Sequence, residues 1–125
     1  MDVTPLVPQG RQVIERYGNG GFRVTGETYR GSILVLPDRS AAWPPTSIDE
    51  LDLASLEPVL SAVPPVEVLL IGCGRAMAMI DPALRAAARA RGVALEPMDT
   101  GAACRTYNVL VAEDRRVAAV LIAVD

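Results

Sequence analysis

The candidate reactive and ligand-binding residues of this 125-residue chain gather in its second half. Gly72-Cys73-Gly74-Arg75 follows an apolar run, and Met98-Asp99-Thr100-Gly101-Ala102-Ala103-Cys104-Arg105-Thr106-Tyr107-Asn108 follows another. Two glycines at a strand end let a phosphate or a second backbone come close. Thr100 is placed to cap a helix whose unpaired first amides would receive an anion, with Arg105 and Asn108, three apart, on one side of it. The alternative is that Thr100 only caps while Arg105 pairs with Asp99 or another acid. Asp99 also stands where a dinucleotide-binding fold keeps its ribose-binding acid. That fingerprint fails at its third glycine, where Met77 stands. The next helix also begins about seven residues too late to meet a pyrophosphate.

Cys73 and Cys104 could serve as nucleophile, redox pair or metal ligands, but two cysteines in such a chain more often act as small buried apolar residues. The chain has no histidine and no lysine; all 12 basic residues are arginine. It therefore lacks the commonest general base and metal ligand, the Schiff-base amine and the phosphate-loop lysine. The sequence assigns no catalytic residue, no metal and no cofactor. Met77 and Met79 read as packing residues.

Length and composition fit one domain over residues 1–125, with half the residues apolar. A net charge of −3 speaks against nucleic acid and gives no reason to expect an anionic membrane surface. No apolar run approaches the roughly 20 residues of a membrane-spanning helix, and the N-terminus has no secretory apolar region. The expected location is the cytoplasm, and the thiols are expected to stay reduced.

The secondary structure around these residues follows from pattern. Residues 1–11 read as an extended lead-in with two prolines. Gly18-Asn19-Gly20-Gly21 joins a strand over 12–17 to one over 22–24, and a third short strand follows at 28–30: an antiparallel meander. Ser32–Leu36 is a continuous apolar run suited to a central strand. The loop 38–46 carries Trp43 ahead of two prolines. Ser47 and Glu50 have capping-box spacing, with further starts at Asp52 or Ser55 for a helix reaching Ala62. Val66–Ile71 is the most apolar strand. Asp81-Pro82 opens an alanine-rich helix that stops at Gly92, and a strand over 93–96 follows. Strands 66–71 and 93–96 should be parallel neighbours. The last helix buries Ala103, Tyr107, Leu110 and Val111, Asp114 ends it in a left-handed conformation, and residues 117–124 form the final strand.

The segments GGFRVTGETYRGSILVLP, the Trp43-Pro44 loop, EVLLIGCG and EPMDTGAACRTYNVLVAEDRRVAAVLI resemble the Mth-domain family. Its biochemical activity is unknown, and its eukaryotic members include a mitochondrial respiratory complex I assembly factor and the adipogenesis-associated Mth-domain protein. The resemblance spans about Gln12 to Ile122; Cys73 and Asp114 replace the threonine and glycine common among bacterial relatives. It implies a three-layer α/β domain with a mixed, mostly parallel central sheet, helices and an added antiparallel sheet. It carries over no catalytic residues.

The expectation is a non-catalytic module that binds a protein partner, with self-association a second option. The rival is an enzyme or small-ligand binder. Either would use the carboxyl ends of the parallel strands, where Trp43, Gly72, Gly74, Arg75, Asp99, Thr100, Arg105 and Asn108 are expected to converge. Trp43 reaches that edge if strand 32–36 runs with the others.

Overall fold

A computed structural model describes residues 10–125; the lead-in expected at the N-terminus falls, over residues 1–9, outside the described residues. The meander forms as its glycines dictate. β1 (Ile14–Gly18), β2 (Gly21–Val24) and β3 (Glu27–Arg30) make an antiparallel sheet in that order. Asn19 and Gly20 turn the first hairpin with positive φ, which fits the twist of tightly joined strands.

The second sheet holds β4 (Ile33–Val35), β5 (Ser40–Ala42), β6 (Val68–Gly72), β7 (Ala94–Met98) and β8 (Val117–Leu121), in the order β5-β4-β8-β6-β7. β6 is parallel to both β7 and β8, whereas β4 is antiparallel to both β8 and β5. The sheet is therefore mixed, and the parallel neighbours expected over 66–71 and 93–96 are present. β8 is buried along its whole length, which is why its sequence reads as an unbroken apolar run.

Alternation along these strands divides the core. Leu34, Leu69, Ile71, Leu95, Ala118 and Val120 face α1 (Leu53–Leu60) and α2 (Pro82–Ala90). Ile33, Val35, Leu70, Val117, Ala119 and Leu121 face α3 (Thr100–Ala112) and the three-stranded sheet. Three layers result. Each fully buried aliphatic side chain contributes about 1.5–3 kcal/mol, so the central sheet dominates stability.

The helix starts refine the expectations. The Ser47–Glu50 capping box closes only a short 3-10 turn over Ile48–Glu50. α1 starts afresh at Asp52, whose carboxylate accepts the Ser55 amide at 2.8 Å. Pro58 lies inside α1. α2 has Asp81 as cap, Pro82 at its first position and Gly92 at φ 84° just past its end. Asp114 is left-handed at φ 59°.

Candidate functional site

β5, β6, β7 and β8 all run the same way, so their carboxyl ends share one edge of the sheet. β4 runs the opposite way, because it pairs antiparallel with β8. Trp43 still leaves the sheet at this edge, delivered by β5, and its amide donates to the Ser32 carbonyl at 2.9 Å. Its indole does not stay there. It is 4% exposed, packs with α1 and α2 on one side of the sheet, and donates from Nε1 to the Ser55 carbonyl at 2.8 Å. Arg105 belongs to α3 on the other side, so the structure does not bring Trp43 to it.

The glycines and Thr100 form a closed knot. Thr100 Oγ1 donates to the Ile122 carbonyl at 2.7 Å and accepts the Gly74 amide at 3.0 Å, while the Thr100 amide donates to the Gly74 carbonyl at 2.8 Å. Thr100 is fully buried. A Cβ on Gly72 would sit 2.9 Å from Leu121 Cδ2 and 3.1 Å from the Thr100 Cα, so Gly72 permits close packing of β6, β8 and α3. Gly74 takes φ 107°, a region that glycine tolerates best.

Asp99, not Thr100, caps α3. Its carboxylate accepts the Ala102 amide at 2.8 Å, and its carbonyl accepts the Ala103 amide at 2.9 Å. The amides expected to be open for an anion are therefore largely used within the chain, beside a carboxylate that repels one. Arg105 does not tie Asp99 to the helix either. Its Nη1 donates to Tyr17 Oη at 3.1 Å, joining α3 to β1. Gly101 makes room for that tyrosine, since a Cβ there would lie 2.8 Å from Tyr17 Oη.

Asn108 is 2% exposed and acts as a clasp between layers. Its Oδ1 accepts the Ile14 amide at 3.0 Å and its Nδ2 donates to the Ile14 carbonyl at 2.8 Å, so it meets the backbone of β1 as a neighbouring strand would. Sequence spacing could not reveal this bond, which joins residues 94 apart.

Both thiols are buried and unpaired, Cys73 among the residues facing α1 and α2 and Cys104 among those facing α3. Burial pushes the Cys104 thiol up to about 12, overriding the helix position that would favour a thiolate. Among the described residues no three of His, Cys, Asp and Glu are grouped to hold a metal ion.

What this edge offers outward lies in the loop from Gly74 to Asp81. Arg75 is surface-exposed, and its Nη2 meets the Asp125 carboxylate at 3.1 Å with side chains 78% and 90% accessible. Met77 and Met79 are 59% and 89% exposed, which corrects their assignment as packing residues. Ile80, next in the chain, does enter the core and anchors the loop. Elsewhere among the described residues lie a cavity of about 80 Å³ beside Pro37, Val63 and Asp114 and an open groove of about 520 Å³ on the three-stranded sheet.

Residues 14–122 match the family described as a protein of unknown function (DUF498/DUF598). An uncharacterised protein of Rhodobacter capsulatus is 41% identical over 113 residues, 90% of this chain and 86% of that protein. NADH dehydrogenase (ubiquinone) 1 alpha subcomplex assembly factor 3 of Xenopus tropicalis is 37% identical over 109 residues. The alignment takes in 87% of this chain but 60% of the assembly factor, so the chain spans about three fifths of that relative. A crystal structure described as an outer membrane protein from Bartonella henselae superposes with a TM-score of 0.85 at 40% identity, over 93% of this chain and 98% of that one. A Bordetella pertussis protein described as a Mth938-like domain gives 0.80 at 27% identity, over 98% and 92%. With its family match over most of its length and the fold of its solved relatives, the chain belongs to the DUF498/DUF598 family of Mth938-like domains.

Proposed function

We propose that this chain is a single-domain, non-catalytic cytoplasmic protein-binding module with an assembly-factor-like role, which holds a subunit of a larger membrane-associated complex through the loop Gly74–Asp81. The observation that carries the proposal is the exposure of Met77 and Met79 beside Arg75, at a strand-end edge whose other polar groups already have partners. Methionine suits such a role because its flexible, polarisable side chain adapts to varied apolar surfaces. Covering both would contribute about 3–6 kcal/mol before the costs of association. The assembly-factor relatives support the same reading.

Catalysis at this edge finds little support in the side chains. Both thiols are buried, and the Thr100 hydroxyl is held by two hydrogen bonds inside the fold. A small ligand would have to open the Arg75–Asp125 pair and accept Asp99 beside it. The test is quantitative affinity purification from the native host with the wild-type chain and with a Met77→Asp, Met79→Asp double variant. The double variant should keep its melting temperature and lose its specific partner by about tenfold or more, and Arg75→Ala should weaken capture less. Equal recovery of the same partner by the double variant would refute the proposal.

A further inference from the structure

The open groove on the three-stranded sheet lies outside the edge described above and is built differently. Pairing across the sheet sets Arg16 directly opposite Arg23, and Arg23 opposite Thr28, so these three share a face. The neighbouring row is Gly18, Gly21 and Arg30, with the two glycines forming a floor without side chains. Gly21 cannot be replaced within this backbone, because a Cβ would collide with the Tyr29 carbonyl. Three arginines thus line one groove of about 520 Å³, and none of its lining residues is Asp or Glu, although the whole chain carries a net charge of −3.

Like charges directly opposite one another across a pair of strands destabilise a sheet. Glu15, just outside the groove, answers only one of them, accepting from Arg23 Nε at 3.2 Å. Among the described residues Arg16 and Arg30 form no ion pair and both are exposed. Planar guanidinium groups on one face of a sheet match the paired oxygens of phosphate. The groove is concave, its aromatic lining residues Tyr17, Phe22 and Tyr29 pack against the core behind the sheet, and it is large enough for a compact ligand rather than an extended chain. We infer that the outer face of the N-terminal sheet is a binding site for a compact phosphate-bearing anion, held by Arg16, Arg23 and Arg30.

The test is a titration of the full chain with inorganic triphosphate, followed by amide and arginine side-chain NMR at low salt. Vesicles of phosphatidylglycerol, with phosphatidylcholine as control, and a decamer of glutamate serve as further probes. Triphosphate should shift resonances of Arg16, Arg23 and Arg30, and an Arg16→Glu, Arg30→Glu variant should bind about tenfold or more weakly. Arg89→Glu, a reversal on exposed α2, should change affinity far less. Binding to phosphatidylglycerol vesicles alone, lost in the same double variant, would assign the phosphate to a lipid headgroup and still support the site. Binding to neither phosphate source, binding to the glutamate decamer alone, or equal weakening by Arg89→Glu would overturn it. Circular dichroism of each variant separates lost binding from lost folding.

Discussion

The carboxyl edge of the five-stranded sheet and the outer face of the three-stranded sheet handle polar groups in opposite ways. At the edge, the residues that look most chemical are consumed by the fold: Thr100 joins Gly74 to Ile122, and Asp99 closes its own helix. On the outer face, arginines that attract no notice in the sequence stand side by side without carboxylates between them. A polar residue in a buried, tightly spaced segment costs stability unless it is paired within the chain, so conspicuous spacing there often reports architecture. Groups left exposed beside like charges or apolar neighbours are the better candidates for binding, and Met77, Met79, Arg16 and Arg30 are of that kind.

Removing the knot should have the largest effect. Thr100→Val keeps shape but strands the Gly74 amide and the Ile122 carbonyl, and should lower unfolding free energy by about 2–4 kcal/mol in chemical denaturation. A loss below about 1 kcal/mol would show that the edge is not held by this residue.

Cys104 gives a smaller effect with a defined sign. Its folded pKa is raised above the unfolded value, so its contribution is complete below the unfolded pKa and is lost as pH rises toward about 12. By pH of about 10.5 the wild type should lose about 1–2 kcal/mol more than Cys104→Ala does over the same interval. Parallel pH profiles would contradict an inert, buried thiol. At neutral pH Cys104 should resist alkylation until the chain unfolds.

The smallest effect belongs to Arg105. Its bond to Tyr17 is at the surface, so Arg105→Ala should cost less than about 1 kcal/mol, and Tyr17→Phe should remove most of that difference in a double-mutant cycle. Coupling instead to Asp99 would restore the alternative pairing expected from spacing.

Much of the architecture was legible because it is local. Gly18 to Gly21 announced the hairpin, Asp81-Pro82 and Gly92 bounded α2, and the apolar runs of β6 and β8 marked buried strands. The failures have a common physical cause in non-local pairing. The direction of β4 depends on its pairing with β8, about 85 residues away, so the route that brings Trp43 to the edge, and its burial against α1, could not be read from the loop. Asp99 and Thr100 are adjacent capping residues, and only contact with Gly74 and Ile122 decides which one turns inward. Asn108 falls on the buried side of α3, but its partner Ile14 is visible only once the two sheets have docked. For Met77 and Met79 no local pattern distinguishes core from surface, since neither lies in a periodic element. Arginines on paired strands could have been found by aligning the hairpin about its glycines, which places Arg16 across from Arg23.

Contact between the Gly74–Asp81 loop and a protein partner can be read by site-specific photocrosslinking in the native host. A photoreactive residue at position 77 or 79 should yield one discrete crosslinked protein, whereas the same residue at Glu113, exposed at the end of α3, should not. The same adduct from position 113, or none from 77 and 79 while the partner co-purifies, would contradict the account.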